Sequence, residues 1–179
     1  MVFSLHTPAP AGKVVLHEKQ VVVPGASSTR LHHVTAPPIP RYLLPDSATI
    51  TTAGGLSVGG VEVASLCQRY GTPLFIYDEA QLRARCREAV GAFGEGVSYA
   101  SKAFLCKAMA QLAHQEGMCI DVASGGELHV ALAAEVPPSR LVLHGNNKSL
   151  GELEMALEVG VGRVVVDSFD ELDRIEALV

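Results

Sequence analysis

Three residues carry side chains and positions suited to carbonyl chemistry: Lys102, Asp121 and His144. Lys102 closes the stretch Val97-Ser-Tyr-Ala-Ser-Lys102, a lone cation at the end of an apolar run that reads as a buried β-strand. Ammonium groups are rarely buried without a partner, and desolvation favours the neutral amine, the form that attacks an aldehyde or ketone to give a Schiff base. The structural alternative is a lysine that snorkels to the rim or pairs with a carboxylate. Asp121, one strand further along, is suited to hold such a lysine and to shuttle its proton. Its alternative is a carboxylate that satisfies loop amides. His144 and Asp167 end the next two expected strands; a histidine in that place also serves as a plain hydrogen-bonding residue, and Asp167 as one that orders its loop. Glu127 is accounted for as the third helical residue of a capping box. Neither a Walker nor a dinucleotide glycine motif is present, because Gly54-Gly55 and Gly59-Gly60 precede the wrong elements.

The elements that must position these residues alternate from Pro73 onward. Strands are expected at Leu74 to Tyr77, Val97 to Ala100, Met118 to Val122, Arg140 to His144 and Arg163 to Val166, starting roughly 20 to 24 residues apart, room for one helix and short loops. Asp78-Glu-Ala-Gln81, Ser124-Gly-Gly-Glu127, Ser149-Leu-Gly-Glu152 and Ser168-Phe-Asp-Glu171 each place a capping side chain three residues before Glu or Gln, the signature of a reciprocal helix start. The junction after Lys102 lacks it, since Ser101 is followed three residues on by Phe104. Local rules fail most readily at functional sites. Repeated βα units fit a TIM barrel or an open doubly wound sheet, and periodicity alone does not separate them. Strand parity places Ser98, Ala100 and Lys102 on one face and Val97 and Tyr99 on the other. If the apolar faces meet the outer helices, Lys102, Asp121, His144 and Asp167 converge at the C-terminal mouth. Residues 48 to 63 alternate around Gly-Gly turns and predict short strands or a hairpin, followed by a helix from Val63 to Arg69.

Composition narrows the class. A chain of 179 residues, 48% hydrophobic and 18% charged, is able to bury a sizeable core. Net charge −5 argues against a nucleic-acid partner, as phosphate binding needs clustered Lys and Arg. No apolar run approaches the roughly 20 residues that cross a bilayer, and no basic stretch precedes a long apolar one, so neither membrane insertion nor secretion is expected. Cys67, Cys86, Cys106 and Cys119 are scattered without a C-x-x-C pair and read as small, mostly buried thiols of a reducing, cytoplasmic compartment. No metal site is expected. Residues 1 to 45 hold seven of the ten prolines and four of the seven histidines, and are expected to form a poorly ordered extension.

Four motifs go further. Tyr70-Gly-Thr-Pro-Leu-Phe-Ile-Tyr-Asp78, Tyr99-Ala-Ser-Lys-Ala-Phe104, Ile120-Asp-Val-Ala-Ser-Gly-Gly-Glu-Leu128 and His144-Gly-Asn-Asn-Lys-Ser149 resemble the diaminopimelate decarboxylase branch of the fold-type III pyridoxal-phosphate decarboxylases, over about residues 48 to 179. The resemblance implies an α/β fold: a partial TIM barrel of the alanine-racemase and decarboxylase type, about five of eight βα units, preceded by short strands of a second β domain. Three segments follow: residues 1–45 as the extension, 46–70 as N-terminal strands of the β domain with a short helix, and 71–179 as an incomplete barrel. It further implies pyridoxal 5'-phosphate as cofactor, with Lys102 as its Schiff-base lysine, Asp121 as the carboxylate beside it and His144 among the cofactor-binding residues.

The implied reaction removes carbon dioxide from meso-2,6-diaminopimelate to give L-lysine, the last step of lysine biosynthesis, in a homodimer. Related decarboxylases of arginine, ornithine or carboxynorspermidine share the lysine, and a non-catalytic single-barrel carrier is a further alternative. Because the family's phosphate loop, pyridine-pairing acid and partner-subunit segments have no counterpart here, the chain by itself is expected to be an inactive truncation.

Overall fold

The structure, a computed structural model, describes residues 2–4, 14–17 and 39–179. The expected extension over residues 1–45, His6, His32 and His33 included, falls largely outside the described residues. The chain divides into two compact units, Met1–Leu82 and Arg83–Val179. No helix among the described residues is long and apolar enough to cross a membrane.

The first unit contains β1 (Val2–Ser4), β2 (Val14–His17), β3 (Thr49–Ile50), β4 (Leu56–Val58), β5 (Val61–Glu62), α1 (Val63–Tyr70) and β6 (Phe75–Asp78). The Gly-Gly turns give the antiparallel sheet β3-β4-β5, with Ser57 opposite Glu62 and Val58 opposite Val61. Leu66 of α1 is buried against Val61, Tyr70, Leu74 and Ile76. Asp78 is buried at the end of β6; it accepts from the Ser47 hydroxyl and, through Oδ1, from the Gln81 amide at 3.2 Å, which starts the next helix.

The second unit takes up most of α2 (Glu79–Phe93) and then β7 (Ser98–Ala100), α3 (Lys107–Gln115), β8 (Cys119–Val122), α4 (Gly125–Ala133), β9 (Leu141–Leu143), α5 (Leu150–Val159), β10 (Arg163–Val164) and α6 (Phe169–Glu176). Four parallel strands hydrogen-bond in the order β10-β9-β8-β7, with Ala100 opposite Asp121 and Asp121 opposite Val142. Each strand lies beside its predecessor in the sequence. That singly wound order is the one a βα barrel uses, whereas a doubly wound sheet reverses direction at a switch point. Ile120, Val122, Leu141 and Leu143 are fully buried, as are Ala110 and Ala113 of α3, Leu128 and Ala131 of α4, and Leu153 and Ala156 of α5. Arg83 and Arg87 of α2 both reach Glu116 just past α3, at 2.7 and 2.5 Å.

One strand departs from expectation. Phe75–Asp78 pairs antiparallel with β2, Val14 opposite Asp78, in the separate sheet β1-β2-β6. The backbone groups of an apolar strand need a ladder, and the β-rich run Val14-Val-Leu-His17 supplies one. β7 is therefore an edge strand of the parallel sheet among the described residues.

Candidate active site at the strand ends

Lys102, His144 and Asp167, on the segments that follow β7, β9 and β10, and Asp121, on the last rungs of the ladder along β8, come to one end of the parallel sheet. β7 stops at Ala100, and Ser101–Ala103 form a 3-10 turn whose hydroxyl-bearing Ser101 is buried while Lys102 is exposed. The burial expected for Lys102 is thus not found: strand parity ends one residue before the turn, and β7 lies at the sheet edge. Among the described residues Lys102 has no hydrogen bond or ion pair. The helix start missing after it is missing in the structure too. Cys106 caps α3 without a side-chain bond, and the intervening bend is held by the Tyr99 hydroxyl, which donates to the Phe104 carbonyl at 2.6 Å.

Asp121 joins His144 rather than Lys102. His144 Nδ1 lies 3.2 Å from Asp121 Oδ2, with the ring about half exposed and the carboxylate 22% exposed. An ionised carboxylate only accepts, so the bond puts a ring proton on Nδ1. The backbone next to His144 comes close to the preceding loop: a Cβ on Gly145 would overlap the Ala123 carbonyl oxygen. Asp167 is exposed, and its amide donates to Glu171 Oε2 at 3.3 Å, the loop-ordering arrangement.

The capping signatures resolve unequally. Ser149 and Glu152 close a complete box, but at α2, α4 and α6 only the capping side chain takes the amide three residues on. The expected box of Glu127 is corrected accordingly. Its carboxylate does not return to Ser124; Oε2 takes the Ala123 amide at 2.6 Å and the Ser101 hydroxyl at 3.0 Å. Glu152 adds the Gly125 amide at 2.9 Å, and Glu171 reaches Lys148 at 2.6 Å. Each of the three glutamates at the third position of α4, α5 and α6 therefore bonds back to the preceding strand-to-helix junction. A short-range motif gives no sign of this, because the partners lie 23 to 27 residues away. The bonds from Gly125 and then Ser149 hold the Glu152 carboxyl below its usual range.

A singly wound βα sheet with polar and charged residues gathered at its strand ends is the arrangement of the barrel proteins whose sites sit at the C-terminal mouth. Residues 79–179 match the family described as pyridoxal-dependent decarboxylase, pyridoxal binding domain, and the chain belongs to that family. Its cofactor class is pyridoxal phosphate. The chain is 50% identical over 136 residues to diaminopimelate decarboxylase of Mycobacterium tuberculosis, covering 75% of this chain and 30% of the relative. The Bacillus subtilis enzyme of the same name is 49% identical over 130 residues, 70% of this chain and 30% of that one. Among solved structures, diaminopimelate decarboxylase of M. jannaschii in complex with L-lysine superposes with a TM-score of 0.68 at 29% identity, over 75% of this chain and 33% of that one. The chain thus spans about 30% of the length of these curated relatives. The likeness extends to the fold: the parallel sheet and its helices are part of a TIM barrel. The residues at hand suit the cofactor, since Lys102 presents an exposed amine on the turn after β7, and the neighbouring strand β8 carries Asp121, which is hydrogen-bonded to the His144 imidazole.

Proposed function

We propose that the whole protein decarboxylates meso-2,6-diaminopimelate to L-lysine with pyridoxal phosphate, and that this chain supplies the covalent anchor and one wall of its site. The observation that carries the reading is the exposed Lys102 on the turn after β7, the strand that pairs with Asp121-bearing β8, in a chain 50% identical over 136 residues to an enzyme of that name. Lys102 Nζ would hold the cofactor through its aldehyde group. Asp121 accepts from the His144 ring and keeps its proton on Nδ1. Ser101 and Glu127 hold the turn from which Lys102 projects. When bound, pyridoxal phosphate supplies the electron sink for the bond to carbon dioxide that breaks. The strands at residues 46–70 are assigned to a second β domain and residues 71–179 to the barrel. A homodimeric, cytoplasmic enzyme is the assembly that goes with this reading.

The test is borohydride reduction of the whole protein with pyridoxal phosphate, followed by peptide mapping. The cofactor mass is expected on Lys102 and absent from Lys102→Ala. Offered meso-diaminopimelate, L-ornithine and L-arginine, the protein is expected to release carbon dioxide from the first alone. A cofactor mass on another lysine, or a preference for ornithine or arginine, overturns the assignment.

A further inference from the structure

Lys148 and Glu171 form an ion pair closed off from solvent: Nζ lies 2.6 Å from Oε1, and each side chain is 1% exposed. Removing two charges from water is costly, and apolar side chains of the same size often serve stability as well or better. The pair therefore calls for a role besides holding the fold. Its surroundings supply one. Lys148 lies in the loop between β9 and α5, four residues after His144, and Nζ directs its hydrogen bond at the Gly145 carbonyl. The Lys148 carbonyl accepts from Arg174 Nη1 at 2.7 Å, so the loop is tied to α6 by main chain as well as side chain. On its other side the Gly145 backbone packs against the Ala123 carbonyl with no room for a methyl group. Gly145 is thus clamped between the Lys148 ammonium and the loop after β8. His144, the residue before Gly145, has a ring 48% exposed, so packing does little to orient it, and its bond to Asp121 depends on where the backbone places the ring.

We infer that Lys148, held by Glu171, is a positioning residue that sets the His144 ring against Asp121 in the pyridoxal site. The inference rests on the function proposed above. Lys148 touches neither cofactor nor substrate in this account; it acts through the Gly145 carbonyl.

The whole protein is compared with Lys148→Met/Glu171→Leu and with Arg174→Gln. The double variant replaces the buried pair by apolar side chains of similar volume, which is expected to keep the melting temperature near that of the parent. Arg174→Gln loosens the loop from a partly exposed side chain and leaves the buried pair whole. Two readouts follow. The 15N shifts of the His144 ring, read without cofactor, are expected to lose the signature of a proton held on Nδ1. The dissociation constant of pyridoxal phosphate is expected to rise on the order of 10- to 100-fold in the double variant and by a smaller factor in Arg174→Gln. Parental ring shifts and cofactor affinity in both variants overturn the positioning role, and an effect on melting temperature alone reduces the pair to a structural one. If the double variant fails to fold, Arg174→Gln decides by the same readouts. Failure of borohydride to fix the cofactor on Lys102 defeats the proposed function instead, and the ring shifts still report on the clamp.

Discussion

Ser101 and Glu127, 26 residues apart, meet at 3.0 Å, and the oxygen that takes the Ser101 hydroxyl also takes the Ala123 amide at 2.6 Å. One carboxylate thereby links the turn carrying Lys102 to the loop after β8. Ser101 is buried, so its hydroxyl has no water to replace Glu127.

Removal of the carboxylate in Glu127→Ala leaves a donor on each side without an acceptor. The expected loss is about 1–3 kcal/mol, the usual penalty for an unsatisfied buried polar group. Ser101→Ala removes one donor and leaves Glu127 bonded to Ala123, so it is expected to cost less. In a double-mutant cycle by urea denaturation the two changes are expected to couple by at least about 0.5 kcal/mol. Strict additivity would show that the two side chains do not support each other.

A second prediction concerns acid. The Glu116 carboxyl is held below its usual range, first by the hydrogen bond from Arg87 and then by that from Arg83, and Glu152 is held low by the Gly125 and Ser149 amides. A carboxyl lowered in the folded state contributes stability that is fully present above its unfolded value, 4.5 here, and is lost as pH falls through the folded value. The melting temperature is therefore expected not to vary with pH on account of these two groups near neutrality, where their contribution is fully present, and to fall below about pH 4.5. Glu152→Gln is expected to lower it near neutrality and to flatten its acid limb. An acid limb as steep as the parent's in that variant would contradict the assignment.

How far the sequence reaches depends on the range of the interaction. The four parallel strands and the helix starts rest on neighbours one to four residues apart, and Ser98–Ala100, Cys119–Val122, Leu141–Leu143 and Arg163–Val164 all fall within the expected runs. The burial expected of Lys102 is not found, as the chain leaves the strand before reaching it, whereas the irregular junction after it was likewise legible, because a missing cap is a local fact. The pairing of Phe75–Asp78 with Val14–His17 was not, since a strand's neighbour is settled by which distant run offers it a ladder. Nor was the buried state of Lys148. Its partner Glu171 carries a capping signature of its own, and nothing near either residue distinguishes a first-turn glutamate that returns to its own cap from one that reaches across to the preceding loop.

The last prediction tests how closely those loops pack. Gly145 has no positive backbone angle to explain it; what excludes a side chain there is the Ala123 carbonyl, which a Cβ would strike head on, and backbone cannot move aside as a flexible side chain does. Gly145→Ala must push the loop after β9 away from the loop after β8, at the roughly 1–3 kcal/mol typical of overpacking. Because Asp121 and His144 stand on the two sides of that contact, their 3.2 Å bond is expected to lengthen with it. Gly151→Ala serves as the control, as a Cβ at Gly151 meets nothing within 4 Å and its helical setting favours alanine. Thermal melts are expected to separate the two variants in sign, with Gly145→Ala below the parent and Gly151→Ala at or above it; equal effects would mean that the contact with Ala123 relaxes freely.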